Sequence, residues 1–181
     1  MKRVVTKQNR ILQALACWPL LMAAVAPTPV ALTVGAGDAA DAAATARMVR
    51  SFIDYTRWPA RNDPVVLCVV GAAAQAGQLD GMTLGDGRRV TRRSATPSTL
   101  SGCHVVYFGK LDSAAMRQAV TAVRGKGVLT VAENDPLCRS QAMFCLKPAV
   151  QSLGFAVNID AVSRSGLRVD PRVLRMASET S

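Results

Sequence analysis

The sequence has few of the side chains on which most enzymes depend. Its 181 residues include a single histidine, and aromatic residues make up only 4 % of the chain. One histidine cannot supply paired histidine ligands for a metal, and neither a G-x-S-x-G motif nor a glycine-rich phosphate loop is present. The scarcity of aromatic residues predicts a core of Val, Leu, Ile, Met and Ala rather than of stacked rings. The sequence therefore favours a binding or regulatory protein over an enzyme.

Three polar residues are the remaining candidates for catalysis. His104 leads into an apolar segment, where a core histidine with its hydrogen bonds satisfied is favoured over a general base. Glu133 and Asp135 follow an apolar run, at the edge where α/β sheets often bind ligands. Carboxylates in such a loop are more often solvated or capping groups than catalytic ones. We therefore predict no catalytic residue, no cofactor and no bound metal.

Acidic residues are also scarce. Twelve Asp and Glu stand against 22 Lys and Arg, which gives a formal net charge of +10. Four of the basic residues precede the first apolar segment, and the others are scattered without interleaved aromatic residues. This pattern argues against a nucleic-acid partner. It leaves an acidic protein surface as a possible partner.

The first 36 residues have the three parts of a secretory signal peptide. Lys2, Arg3, Lys7 and Arg10 form a basic region, residues 11–26 are almost wholly apolar, and small residues follow. We predict cleavage after Ala36, so that residues 37–181 form one periplasmic domain. Without the signal peptide, 18 basic residues stand against 12 acidic ones, and the net charge falls to about +6.

Two alternatives to cleavage concern the same segment. A permanent membrane anchor would need about 20 apolar residues, whereas this run is shorter and contains Pro19. A lipoprotein acylated at Cys17 would need a better recognition box than Ala14–Leu15–Ala16. The sequence favours the cleaved signal over both.

Cleavage would leave an even number of cysteines. Cys17 departs with the signal, and Cys68, Cys103, Cys138 and Cys145 remain, which predicts disulfides in an exported chain. Three pairings are possible. Sequence position favours the local pair Cys138–Cys145 together with Cys68–Cys103, provided that the strands of the latter are neighbours. Both bridges are interpreted as structural; the alternative is that the short-loop bridge is redox-sensitive.

Apolar strands alternate with amphipathic helices along the chain. Strands are predicted over residues 65–71, 88–93, 105–108, 128–132, 142–146 and 155–159. Helices are predicted over residues 38–56, 72–79, 113–124, 160–164 and 171–177, with Asp112 as an N-cap. The alternation predicts a single α/β domain, stapled by two disulfides, in which helices flank both faces of a mainly parallel sheet.

Several motifs resemble the YfiR-type family. The most specific are Tyr55–Thr56–Arg57–Trp58–Pro59 and the run from Phe155 to Ala161, which continues as Ser163–Arg164–Ser165–Gly166. The segments Ser101–Gly102–Cys103 and Phe144–Cys145–Leu146 occur in the same order. The resemblance covers nearly all of residues 37–181, and residues 72–97 depart from it most.

The resemblance implies a periplasmic repressor. Proteins of this type bind the periplasmic sensor region of an inner-membrane diguanylate cyclase, YfiN, and hold it inactive, which lowers cyclic di-GMP and biofilm formation. An outer-membrane lipoprotein, YfiB, sequesters the repressor. The resemblance also implies a homodimer and the pairing of Cys68 with Cys103 and of Cys138 with Cys145. The alternative function is a periplasmic small-molecule binding protein that uses a cleft near Glu133.

Five residues are predicted to contact a partner. Tyr55, Arg57 and Trp58 lie in a turn, where an aromatic ring and a guanidinium make good interface anchors. Arg164 and Arg168 could meet an acidic surface, and so could Arg172 a little farther along the chain. The alternatives are that Trp58 closes one end of the core and that the arginines are simply solvated.

Overall fold

A computed structural model describes residues 36–149 and 152–179. The predicted signal peptide, apart from Ala36, lies outside the described residues. The helices of the described part are α1 (Ala36–Asp54), α2 (Ser113–Val123), α3 (Ile159–Ser163) and α4 (Pro171–Glu179). Its strands are β1 (Thr56–Arg57), β2 (Val65–Val70), β3 (Val90–Ala95), β4 (Val105–Phe108), β5 (Leu129–Ala132), β6 (Phe144–Ala149), β7 (Ser152–Val157) and β8 (Arg168–Val169).

The main sheet has six strands in the order β3-β2-β4-β5-β6-β7. The first five of these run parallel, whereas β7 is antiparallel to β6. From β2 the chain first adds β3 on one side and then continues with β4 on the other, as in doubly wound α/β folds. The predicted mainly parallel α/β sheet is confirmed.

Both faces of the sheet are covered by helices. Leu67, Tyr107 and Val131 point to one face, where they belong to a core that also includes residues of α1 and α4. Cys68 and Val106 point to the other face, where they pack in a core with α2. This alternation follows from the period of two along each strand, and it explains why the strands are apolar at nearly every position.

Three of the four phenylalanines meet in the first core. The rings of Phe52 and Phe144 stack with centroids 4.1 Å apart, and Phe155 approaches Phe52 edge-on at 4.8 Å. Most other residues of this core are aliphatic, with Tyr107 as a further buried ring, and the expectation that the core lacks stacked rings is wrong. The rings come from α1, β6 and β7, so only the tertiary fold brings them together.

The N-terminal helix ends two residues earlier than predicted. It ends at Asp54, because Thr56 pairs with Val169 in a two-stranded sheet formed by β1 and β8. The Thr56 hydroxyl donates to the Phe52 carbonyl at 2.7 Å and so closes the last helical turn. This small sheet was not predicted, since strands of two residues leave no periodic pattern.

The helix predicted over residues 72–79 is wrong, since the segment forms only a 3₁₀ turn at Ala76–Gln78. Ala72 instead bridges to Lys110: the Lys110 N–H donates to the Ala72 carbonyl at 2.8 Å. Two glycines allow these turns to approach. Gly71 has a φ of +83°, and a Cβ on Gly109 would overlap the Ala72 carbonyl.

The other elements differ from prediction mainly at their ends. The helix predicted over residues 113–124 forms as α2, and the Asp112 carboxylate accepts hydrogen bonds from Ala114 and Ala115, so the N-cap is confirmed. The strands predicted over residues 88–93, 142–146 and 155–159 form as β3, β6 and β7, with their ends displaced by two or three residues. β3 starts at Val90 rather than at residue 88, and β7 ends before Asn158, which caps α3.

Gly109→Ala is expected to destabilise the domain by about 1–3 kcal/mol, because the added Cβ would push the two turns apart. Gly77→Ala is the matched control, since its Cβ would meet nothing within 4 Å. Its stability should stay within about 0.5 kcal/mol of the parent. Urea unfolding of the three proteins measures both changes. Equal stability of Gly109→Ala and the parent would contradict the close approach.

Candidate functional site

The first disulfide joins two neighbouring strands. Cys68 lies within β2 and Cys103 two residues before β4, and their Cα atoms are 5.8 Å apart. Both residues are buried, and the Arg93 guanidinium lies 3.2 Å from the Cys103 sulfur. The condition that the two strands be neighbours is met.

The second disulfide closes a short loop between β5 and β6. Cys138 and Cys145 are seven residues apart, with Cα atoms at 5.3 Å. Asp135 organises this loop, because its two carboxylate oxygens accept hydrogen bonds from the Arg139 and Ser140 N–H groups at 2.8 and 2.7 Å. Both predicted pairs are therefore present in the structure.

The two bridges should differ in their contribution to stability. Cys68→Ala/Cys103→Ala is expected to cost about 4 kcal/mol and Cys138→Ala/Cys145→Ala about 2.5 kcal/mol, because the longer loop loses more closure entropy. The sequence separations are 35 and 7 residues. Urea unfolding of both variants against the parent gives the two values. A larger loss for the short-loop pair would contradict this ranking.

His104 ties the start of β4 to β2. Its Nδ1 accepts a hydrogen bond from the Val66 N–H at 2.9 Å, so this nitrogen carries no proton and the ring is neutral. Burial lowers the pKa of His104 below its usual value, and the positive charge of Arg88 lowers it further. The residue therefore acts as a structural acceptor with its hydrogen bond satisfied, as predicted, but it is half-buried rather than part of the core.

The domain should lose stability as the pH falls below about 6.5. The unfolded chain binds a proton at His104 near that pH, whereas the folded protein resists protonation, so acid favours the unfolded state. His104→Asn should remove this step, since the chain has a single histidine. Urea unfolding of both proteins from pH 5 to pH 7.5 tests the expectation. Identical pH profiles would show that His104 does not cause it.

Glu133 binds the backbone of the turn that follows β2. Its Oε1 accepts hydrogen bonds from Ala74 and Gln75 N–H at 2.9 and 3.2 Å. The buried Tyr107 hydroxyl lies near this carboxylate, and neither the hydroxyl nor the buried Oε2 has another hydrogen-bond partner among the described residues. Burial raises the pKa of Tyr107, and the nearby Glu133 carboxylate raises it further. Glu133, like Asp135, thus serves as a capping group, as the sequence favoured.

A cleft of about 850 Å³ lies beside Glu133 at the carboxyl edge of the sheet. Lys110, Arg117 and Arg139 line it, and none of them forms an ion pair within the described part of the chain. Three cationic side chains around a cleft can bind a small anionic molecule. This position is also where open α/β sheets commonly bind ligands.

The structure brings together three of the five residues predicted to bind a partner. Arg57 in β1 lies opposite Arg168 in β8, and Tyr55 directly precedes β1. Arg172, the further arginine expected to be able to meet an acidic surface, places its guanidinium 5.0 Å from the centre of the Tyr55 ring and pairs with Asp170 at 2.8 Å. We call Tyr55, Arg57, Arg168 and Arg172 the β1–β8 patch.

The Asp170 carboxyl belongs to the electrostatics of this patch. Hydrogen bonds from Arg172 lower the pKa of Asp170 to about 2, and the charges of Arg172 and Arg57 add to the effect. Asp170 offsets part of the positive charge of the patch. It also fixes the position of Arg172 over Tyr55.

The other two predicted residues are placed differently. Trp58 packs against the first core, with the Arg88 guanidinium 5.9 Å from its ring centre and its indole N–H buried without a partner in the described structure. Trp58 thus helps to close that core. Arg164 caps α3 and forms an ion pair with Asp160 at 2.6 Å.

The geometry defines a disulfide-stapled α/β domain in which Glu133, Asp135 and His104 bind the protein's own backbone. A family model described as YfiR/HmsC-like matches residues 42–178. The chain therefore belongs to the YfiR/HmsC-like family.

The family indicates a periplasmic regulator of a cyclic di-GMP system; it is a regulatory family rather than a known enzyme class. The two disulfides are consistent with the periplasm. Within residues 36–149 and 152–179, no helix is both long and apolar enough to span a membrane.

Proposed function

We propose that this protein is a periplasmic repressor that binds the periplasmic sensor region of an inner-membrane diguanylate cyclase of the YfiN type. Binding holds the cyclase inactive and so lowers cyclic di-GMP and biofilm formation. The family match over residues 42–178 is the observation that carries the proposal. It extends from α1 to α4 and includes both disulfides.

Export is part of this proposal. Residues 1–36 act as a signal peptide that is cleaved after Ala36, and residues 37–181 are the periplasmic domain. Support comes from the basic and apolar segments of the sequence and from the two disulfides, which need an oxidising compartment.

The proposed binding surface for the cyclase is the β1–β8 patch, extended by Trp58 and Arg164. Arg57 and Arg168 are exposed on adjacent strands, and Arg172 is exposed beside Tyr55. Arginine and tyrosine are frequent in energetically important parts of interfaces, because each combines a large contact area with directed hydrogen bonds. The surplus of positive charge fits an acidic surface on the cyclase.

Two further partners belong to the same hypothesis. An outer-membrane lipoprotein of the YfiB type sequesters the repressor and thereby releases the cyclase. The repressor is also able to form a homodimer. Both disulfides are structural in this hypothesis; the alternative is that the Cys138–Cys145 bridge is redox-sensitive, since Cys138 is partly exposed and within reach of a reductant.

The cleft at the carboxyl edge supports a second candidate function, a periplasmic small-molecule binding protein. Its lysine and arginines favour a small anion, and a bound ligand could also adjust repression. A thermal-shift screen of anionic metabolites tests this function. A ligand that raises the melting temperature of the parent but not of Lys110→Gln/Arg117→Gln would support it.

Arg57→Glu/Arg168→Glu is expected to weaken binding to the isolated periplasmic region of the cyclase about tenfold or more, because the reversed charges repel an acidic surface. Arg47→Glu/Arg92→Glu is the matched control, with the same change of charge at exposed positions on α1 and β3. Biolayer interferometry measures the affinities, and cyclic di-GMP in cells that carry the cyclase measures repression.

The control should bind and repress as the parent does. Equal loss in both variants would indicate a non-specific effect of charge. Unchanged binding of Arg57→Glu/Arg168→Glu would exclude the β1–β8 patch as the interface. If deletion of the whole gene left cyclic di-GMP unchanged, repression itself would be ruled out.

A further inference from the structure

The short-loop disulfide has a carboxylate beside it. A carboxylate oxygen of Asp135 and the sulfurs of Cys138 and Cys145 all lie within 4.8 Å of one another. Asp135 and Cys138 belong to the eleven-residue loop between β5 and β6, and Cys145 is the second residue of β6. They form a cluster of metal-ligating types that the disulfide keeps from binding a metal, because its sulfurs are bonded to each other.

We propose that reduction of this disulfide creates a site for a thiophilic divalent cation, with Zn²⁺ as the preferred ion. A dithiol reductant supplies two electrons and two protons and is itself oxidised to a disulfide, while the Cys138–Cys145 bond breaks into two thiols. Zn²⁺ then displaces both thiol protons and binds two thiolates and the Asp135 carboxylate. Two thiolates with one carboxylate suit zinc better than magnesium or calcium.

Asp135 is already held in a position suited to a metal ligand. Its oxygens accept hydrogen bonds from the Arg139 and Ser140 N–H groups, at 2.8 and 2.7 Å. Each carboxylate oxygen keeps a further lone pair for a metal. Hydrogen bonds of this kind orient the carboxylate ligands of known metal sites.

The two cysteines combine one fixed ligand with one that can adjust. Cys145 is fully buried in β6, whereas Cys138 is partly exposed and has a φ of +51° in the loop. Zn–S bonds of about 2.3 Å in a tetrahedron require sulfurs about 3.8 Å apart. The released Cys138 side chain can move until the two sulfurs reach that separation, while Cys145 stays in the sheet.

The cleft provides access and a fourth ligand. Asp135 and Ser140 line the cleft of about 850 Å³, so zinc reaches the site from solvent, against the opposing positive charges of Lys110, Arg117 and Arg139 on the same cleft. Three protein ligands leave one position of a tetrahedron for water. The site is therefore open on the side of the cleft.

The other disulfide offers a contrast within the same protein. The Cys103 sulfur lies 3.2 Å from the guanidinium of Arg93, whose positive charge repels a cation. Among the described residues, the cluster with Asp135 is the one group of three metal-ligating side chains. Reduction of Cys68 and Cys103 should therefore release two thiols without creating a comparable zinc site.

The test compares reduced and oxidised protein. The purified protein is reduced anaerobically with a dithiol, the reductant is removed by desalting, and Zn²⁺ is titrated against a chromophoric zinc indicator. Thiol alkylation, followed by mass spectrometry, then scores each cysteine separately. We expect one zinc per reduced chain, none per oxidised chain, and protection of Cys138 and Cys145 from alkylation but not of Cys68 and Cys103.

Asp135→Asn tests the carboxylate and should weaken zinc binding by about 10–100-fold. Asp112→Asn is the matched control, because Asp112 also accepts two backbone hydrogen bonds but caps α2 and is not part of the cluster with the two cysteines. It should bind zinc as the parent does. Circular dichroism confirms that the variants and the reduced parent are folded.

Three results would overturn the proposal. The first is less than one zinc per reduced chain, whether or not the reduced protein remains folded. The second is equal protection of all four cysteines, which would indicate adventitious thiol binding. The third is unchanged zinc affinity in Asp135→Asn, which would remove the carboxylate from the site.

Discussion

The parallel pairing of β2 with β4 is the constraint on which most of the structure depends. It places Cys68 within bonding distance of Cys103 and brings the His104 ring to the Val66 N–H. At the other end of the same strands it brings Ala72 to Lys110, where Gly71 and Gly109 allow the turns to touch. Parallel strands cannot be joined by a tight turn, so all these contacts link parts of the chain that are distant in sequence.

The features that could be predicted from the sequence are those with a local signal. The apolar run at β2, the Asp112 cap and the paired cysteines each leave a pattern within a few residues or a countable set. The stacking of Phe52 on Phe144 leaves none, because its residues belong to elements about 90 positions apart and meet only after the sheet has formed. The pairing of β1 with β8 leaves no local signal either, because the two strands are too short to show alternation. The alanines of the turn after β2 favour a helix, and the bridge from Ala72 to Lys110 overrides that preference.

The candidate site was only partly predictable, for a related reason. The sequence places Glu133 and Asp135 at the carboxyl edge of the sheet, but it does not show which N–H groups they bind. The structure uses both to hold turns: Glu133 binds Ala74 and Gln75, and Asp135 closes the loop of the second disulfide. The sequence shows that Arg172 could meet an acidic surface but not that it lies over Tyr55, because that position depends on Asp170 and on the unpredicted sheet.

The two disulfides are chemically equivalent while they are oxidised, but their surroundings are opposite in charge. Cys103 lies beside a guanidinium, and Cys138 and Cys145 lie beside a carboxylate. A nearby cation stabilises a thiolate and favours exchange chemistry, whereas a nearby anion disfavours a free thiolate unless a metal accompanies it. The loop that Asp135 organises is also the shorter of the two closures, so it depends less on its disulfide for stability. Losing a bridge that contributes about 2.5 kcal/mol rather than about 4 kcal/mol leaves the domain more of its stability, so of the two bridges this is the one whose opening the fold tolerates better.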